Sequence, residues 1–532
     1  MDIMATEAED ALIAGGAPIY NRGGLVRPIV DDLPAAHGRR AKVARLAEVD
    51  APMMVDHFCR HADFIRFDGR KKAMVRTNPP SNVATTLLSR DGEWRFPRLA
   101  GVITTPTLRP DGTILSKPGY DSRTQLLLLD PPPMPTIPEK PTKIDAQVAL
   151  ALLDELLDEF PFDDAPSRSV ALSALITPVV RGALPVAPLH ATKAPVAGSG
   201  KSYIIDIAAA ISTGQRAPVI AAGRNEEETE KRLNAALLSG QPIVSIDNVN
   251  GELGGDALCQ AIERPVVSVR PLGLSKLVKI ESRATCYATG NNIALVGDMV
   301  RRVLLCSLDP NMERPELRRF RARPFDMVIA DRGKYVAAAL TICRAYIVAG
   351  SPEKRPALAS FEDWSAVVRS ALVWLGKDDP VITMDAARGD DPVLTALRTL
   401  STAWYDAVGS SERTSGQLKD LAVTRGHHGN LVHEALHQAL DDVAGDMRGD
   451  INTKRLGRFL ARYNNRIVAG LKLQAREDGH SKQKVWSVIP RAGLRVAAAA
   501  SHSRQPSNIR RQTAAVHGSN SPPEGSSAST KS

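Results

Sequence analysis

The sequence is poor in cysteine, with five in 532 residues and no CxxC pair, poor in aromatics at 4%, and free of any apolar run of 18 residues. Scattered cysteines (Cys59, Cys259, Cys286, Cys306, Cys343) argue against a disulfide framework or a cysteine zinc site and fit reduced thiols. Few aromatics argue against recognition dominated by base stacking. Without a long apolar run no membrane span is expected, and the first thirty residues lack a basic segment followed by an apolar stretch, so no signal peptide and a cytoplasmic location are expected. What is present is a chain of 43% hydrophobic and 24% charged residues, enough for several cores and at least two domains.

The net charge of +9 is unevenly spread. Residues 451–489 hold nine Lys/Arg against two acids, residues 490–532 hold six against one, and the other 450 residues hold 53 against 56. Cations gathered at one end of a near-neutral body suit phosphate neutralisation, so a nucleic-acid contact is expected there. A solubilising tail accounts for 490–532 equally well.

Composition divides the chain. Residues 1–18, Ala-rich and acidic without clear periodicity, are expected to be a flexible start. Residues 19–129 alternate short β-like runs with turn signals and read as an α+β or mostly β accessory domain. Six prolines between Asp130 and Thr142 exclude helix and central strand, so 130–142 reads as a stiff linker. From 143 to 350 helical runs alternate with strand-like ones, the pattern of a doubly wound α/β sheet, and 351–449 reads as helical. Residues 450–489 are a basic amphipathic helix followed by two strand-like runs, and 490–532 cannot bury a core and should be disordered.

The sharpest motif is Pro195-Val196-Ala197-Gly198-Ser199-Gly200-Lys201-Ser202, between a strand-like run and an apolar helix. In a phosphate-binding loop, glycines let backbone N–H groups wrap the β-phosphate, the lysine pairs the β/γ oxygens and the last hydroxyl ligates Mg²⁺. Ala197 through Ser202 fit those roles for ATP, although Pro195 replaces the usual first glycine. Forty-five residues on, the apolar run 242–246 ends in Asp247-Asn248, where the acid can hold Mg²⁺ together with Ser202. Asn248 stands where many ATPases place a glutamate base, which leaves Glu226, Glu227 or Glu228 as candidates for water activation, or as a solvated helix face. A third strand, 284–288, leads into Thr289-Gly290-Asn291-Asn292, where Asn291 or Asn292 can orient the attacking water. Arg301 or Arg302 can reach a neighbouring subunit's γ-phosphate, or pair with Asp298.

The order GSGKS, IVSIDN, ATGNN, GDMVRR, LDPNMERPELRRF resembles the ATPase module of phage- and plasmid-encoded primase–helicases related to superfamily 3, over roughly 145–350. The resemblance implies a multidomain α/β protein with a central P-loop NTPase (AAA+-like) domain, forming a homo-oligomeric, hexameric ring that moves 3′-to-5′ on single-stranded DNA during replication of a mobile element. It also implies a pore-lining hairpin between the metal acid and the asparagine strand, with Arg270, Lys276 and Lys279 on DNA phosphates; a solvated edge hairpin explains the same lysines. No primase catalytic motif is visible, so primer synthesis is not expected. Residues 450–489 resemble a winged helix whose Lys454, Arg455, Arg458, Arg462 and Arg466 would lie on duplex phosphates, or whose surface would dock a protein.

A reading of another class is a nucleotide-switched DNA-binding or replication-initiation protein without strand separation, favoured by Pro195 and Asn248. A zinc hydrolase is the third, because His433-Glu434-Ala435-Leu436-His437 fits HExxH, with His427 and His428 just before it. The stronger expectation there is a satisfied helical pair of histidines. His57, Cys59 and His61 alternate as on a strand, with no fourth ligand nearby.

Overall fold

Runs of consecutive apolar residues, not alternating ones, dominate the middle of the chain, and such runs are stable as strands only when both sheet faces are covered. In the computed structural model, which describes residues 2–34, 40–223, 226–271, 276–318, 320–389, 392–427, 429–446, 449–479 and 483–491, they form one five-stranded parallel sheet flanked by helices. Its strands are β1 (Leu189–Lys193), β2 (Val219–Ala221), β3 (Ile243–Leu253), β4 (Thr285–Leu295) and β5 (Val303–Ser307), in the order β2-β3-β4-β1-β5. The glycine-rich loop follows β1, and helix α1 (Lys201–Thr213) begins at the loop's end and buries Ile204, Ile205, Ile207 and Ile211. Gly214 stops α1 in a left-handed conformation (φ 78°), its N–H returning to Ala210 O.

Two strands run further than their sequence suggests. β3 passes through Asp247-Asn248 and β4 through Thr289-Gly290-Asn291-Asn292, so both motifs lie inside strands expected to stop before them. The register shifts between Ile246 and Val249, and Asn248 takes a left-handed φ of 58°. This bulge re-aims the chain at the carboxyl end of the sheet, where functional side chains gather.

The chain divides into two compact units, Met1–Leu397 and Arg398–Ser532, which is not the expected partition. The first eighteen residues contain a helix, Asp2–Ala14, burying Ala5, Ala8, Glu9 and Leu12. Ala5, Ala8 and Leu12 lie at helical spacing, a stripe too small in side chain to stand out in the sequence. They pack with Met54, Phe58 and Leu87 from helices Ala51–His61 and Ser81–Leu88, so the N-terminal part mixes helices with short sheets. It is stitched to the central domain by Thr107 Oγ1 donating to Val179 O (2.6 Å) and by buried Arg22 donating to Leu237 O (2.9 Å) and Leu238 O (3.0 Å).

The Pro-rich segment is also packed, with Met134 and Ile137 against the central core. It ends at Thr142, which opens helix Lys143–Glu155 with a capping box to Asp145. A methyl group on Gly333, in helix Arg332–Val348, would overlap the Pro133 carbonyl. Gly333→Ala should therefore lower stability by about 1–3 kcal/mol, the usual cost of overpacking. An unchanged urea midpoint would show that the segment is not seated on this helix.

In the second unit, helices Ser415–Ala422, Glu434–Ala444 and Thr453–Arg462 pack pairwise, and strands Ile467–Val468, Leu471–Glu477 and Lys484–Pro490 form an antiparallel sheet. Arg413 and Trp486 form a further antiparallel bridge. The expected boundary between a helical region ending at 449 and a separate unit from 450 thus falls inside one body. Residues 492–532, expected to be disordered, lie outside the described residues.

Candidate functional site

Gly198 (φ 75°) and Gly200 (φ 96°) hold the loop in left-handed backbone that other residues adopt poorly. A Cβ on Gly200 would press on the Phe160 ring, which also stacks on Tyr203 of α1 (6.1 Å between centroids). Ser199, buried, donates to Val196 O (2.7 Å) and closes the loop on itself.

Strand order decides what meets this loop. β4, not β3, is the neighbour of β1, so Asn291 comes directly beside Lys201, whose Nζ donates to Asn291 Oδ1 (2.8 Å) and to Val196 O (3.0 Å). Burial pulls the Lys201 ammonium below its usual pKa, against the opposing pull of Asp247. Asp247 is one strand further away yet remains in reach: Ser202 Oγ donates to its Oδ1 (3.2 Å), and Thr289 Oγ1 donates to the same oxygen. Thr289 is buried and also accepts from Asn248 N (3.3 Å). It was not among the residues expected from sequence; its only sign there is a hydroxyl two residues before Asn291.

The hydroxyl of Ser202 and the carboxylate of Asp247 form a hard oxygen donor set of the kind Mg²⁺ takes, and the half-buried ammonium beside the open glycine loop suits phosphate oxygens. When bound, Mg²⁺ would neutralise charge on the phosphates. Asn292 lies on β4.

The other expected residues are not brought to this point. Arg302 precedes β5 at the amino end of the sheet; its O accepts from Leu189 N, the first residue of β1 (3.0 Å). Its guanidinium is buried against the Glu263 carboxylate and Asp298 (3.0 Å). Arg301 bonds Asp298 (3.2 Å) and approaches Glu263 (3.5 Å), but 38% of its side chain stays exposed. Glu226 accepts from Asp256 N (2.9 Å), at the start of helix Asp256–Glu263, and Glu227 pairs with Lys231 (2.8 Å). Glu228 lies near Arg232 (3.8 Å).

The hairpin between β3 and β4 forms from Val266–Val269 and Val278–Glu281, antiparallel. Arg270 and Lys279 are exposed, Lys276 pairs with Asp91 (2.5 Å), and residues 272–275 lie outside the described residues. In the second unit Lys454, Arg455, Arg458, Arg462 and Arg466 are all exposed, whereas Leu456 and Leu460 of the same helix are buried.

The histidine motifs take other forms than expected. His433 sits at the N-cap of helix Glu434–Ala444, outside it, so His433 and His437 are not a helical pair, and His428 lies outside the described residues. His57, Cys59 and His61 belong to a helix, not a strand; His57 and His61 stack at 6.1 Å while Cys59 is exposed. Among the described residues no three His, Cys, Asp or Glu side chains gather as a metal site, and no helix is long and apolar enough to cross a membrane.

A scan of protein-family models finds no match to this sequence, and neither does a search of curated proteins. Among solved structures, the A form apo structure of the NrS-1 C-terminal region is 11% identical, covering 85% of this chain and 94% of that one at a TM-score of 0.35. The A form apo structure of its 305–718 form is 13% identical, covering 84% and 100%, also at 0.35. Similarity this weak assigns neither fold nor activity, and the functional reading rests on the side chains.

Proposed function

We propose that the protein is an ATP-dependent DNA translocase or helicase of a mobile-element replication system. The single observation that supports this most is the convergence of Lys201 and Ser202, just past the carboxyl end of β1, with Asp247 of β3 and Thr289 and Asn291 of β4 on the neighbouring parallel strands. In this reading the loop amides and Lys201 bind the ATP phosphates, and Ser202 and Asp247 hold Mg²⁺, with Thr289 fixing the carboxylate. Phosphate would take over the ammonium that Asn291 now holds, leaving the amide to orient water. Arg301, the more exposed of the arginine pair, is the better candidate for reaching a neighbouring subunit; Arg302 supports it from within.

The second unit supports DNA contact. Three helices followed by an antiparallel ribbon are the arrangement of a winged helix, here with Arg458 and Arg462 on the solvent face of the third helix. Turnover of ATP should rise with single-stranded DNA, and Arg458→Glu with Arg462→Glu should weaken duplex binding about tenfold or more while leaving DNA-free turnover unchanged. Equal duplex affinity in wild type and variant would reject the winged-helix reading. One observation favours the alternative of a nucleotide-switched DNA binder: Asn248 is exposed beside Asp247, while Glu226 and Glu227 are engaged elsewhere, with Asp256 N and Lys231. ATP binding without DNA-stimulated turnover would select it.

A further inference from the structure

At the opposite, amino end of the sheet, a narrow cavity of about 30 Å³ with an open mouth lies between the N-terminal part and the central domain. Arg22, Arg181 and Arg283 line it, with Ser282 and apolar walls from Val102 and Val179. Arg181 is buried and bonds only main-chain oxygens among the described residues: Arg283 O (3.0 Å), Leu184 O (2.5 Å) and Ala284 O (3.1 Å). Arg22, 7% exposed, bonds Leu237 O, Leu238 O and Glu281 O (3.2 Å), and its Nε–H is buried without a partner.

Main-chain oxygens supply hydrogen-bond partners but only partial charge, so two guanidinium charges lie buried without a carboxylate in contact among the described residues. That is a costly state unless an anion completes it. Burial lowers Arg181 to about 9 and Arg22 to about 10, the latter partly offset by Glu281. Arg283 adds a third cation at the rim, and the nearby acid, Glu281, is bonded to it (2.8 Å). Three cations against one acid leave two positive charges, matched by one doubly charged oxyanion. Each guanidinium still has N–H groups to offer, and planar forks suit tetrahedral phosphate oxygens.

We propose that this cavity is a binding site for a phosphate-class dianion, either free phosphate or the phosphate of a small phosphomonoester whose organic part stays at the open mouth. Such a ligand would tie the N-terminal part to the amino end of the sheet, away from the nucleotide loop. The proposal does not depend on ATP being bound at Lys201.

The test is equilibrium dialysis of orthophosphate and of ribose 5-phosphate against Lys201→Ala, which disables the loop, at constant ionic strength set with chloride. One phosphate per chain is expected, with slowed hydrogen exchange at Gly101–Ile103 and Arg181–Leu184 and unchanged exchange at 195–200. Arg283→Gln, at the rim, should weaken binding about tenfold. Tighter binding of the sugar phosphate than of orthophosphate would identify the monoester as the ligand class. No millimolar binding to Lys201→Ala, or protection confined to the loop, would overturn the proposal, and the exchange map keeps this decision independent of whether Arg283→Gln folds. Loss of ATP turnover would bear on the proposed motor and not on this site.

Discussion

Replacing Lys201 by alanine is expected to reduce ATP turnover by about 10²–10³-fold, the loss typical of removing one aligned donor from a site where charge develops. The ammonium is half-buried and already depressed by desolvation, so its charge acts at reduced dielectric, and Arg301 and Arg302, at the other end of the sheet, do not replace it. Asp247→Asn should fall by a similar factor, because the amide keeps the Ser202 contact but loses the charge that holds Mg²⁺. The pH dependence has a definite sign. A lysine whose pKa is lowered loses its charge at lower pH than an exposed one, so ATP affinity should weaken as pH rises toward the ordinary lysine range, and Lys201→Arg should remove that dependence. Nucleotide titrations across that range decide it; flat affinity in wild type would remove Lys201 from phosphate contact.

Much of this site was legible because its chemistry is local. Glycines that must adopt positive φ, a lysine and hydroxyl opening a helix, and an acid after a mostly apolar run can each be read from a few neighbours. What was not legible depends on strand order and burial. That Asn291 would bond Lys201 follows from β4 lying beside β1, which spacing does not specify. Thr289 looks like any turn threonine until the bulge at Asn248 brings the backbone of β3 against it. The arginine pair shows the same limit: adjacent cations look equivalent in sequence, but one faces the core and the other solvent because the short helical turn over Gly297–Arg301 ends between them. The helix near the start was hidden for another reason, since its buried stripe is mostly alanine and a small side chain carries little hydrophobic signal.

Glu263→Ala should destabilise the first unit by about 3 kcal/mol, since removing one partner of a buried pair strands the other charge. Arg302 has 6% of its side chain exposed and cannot turn to water; Asp298, itself largely solvated, keeps one contact with it, which places the cost at the lower end of the usual range. Hydrogen exchange along Val303–Ser307 should accelerate roughly a hundredfold, the equivalent of that energy. Replacing both partners by methionine should cost far less, because no unpaired charge remains. The acid response follows the same group. Burial raises the Glu263 carboxyl, but hydrogen bonds from Ser360 and Arg302 outweigh it and the net shift is downward; bonds from Arg301 and Arg302 hold Asp298 down at about 2. Carboxyls lowered by folding contribute stability that is complete above the ordinary carboxylate range and is lost as pH falls through that range toward 2. Wild-type protection of β5 should therefore decline on acidification below the ordinary range, and Glu263→Ala should decline less steeply. Equal slopes would mean that Arg302 is held by its main-chain bond to Asp298 O alone, and that the pair does not fix the base from which Arg301 extends.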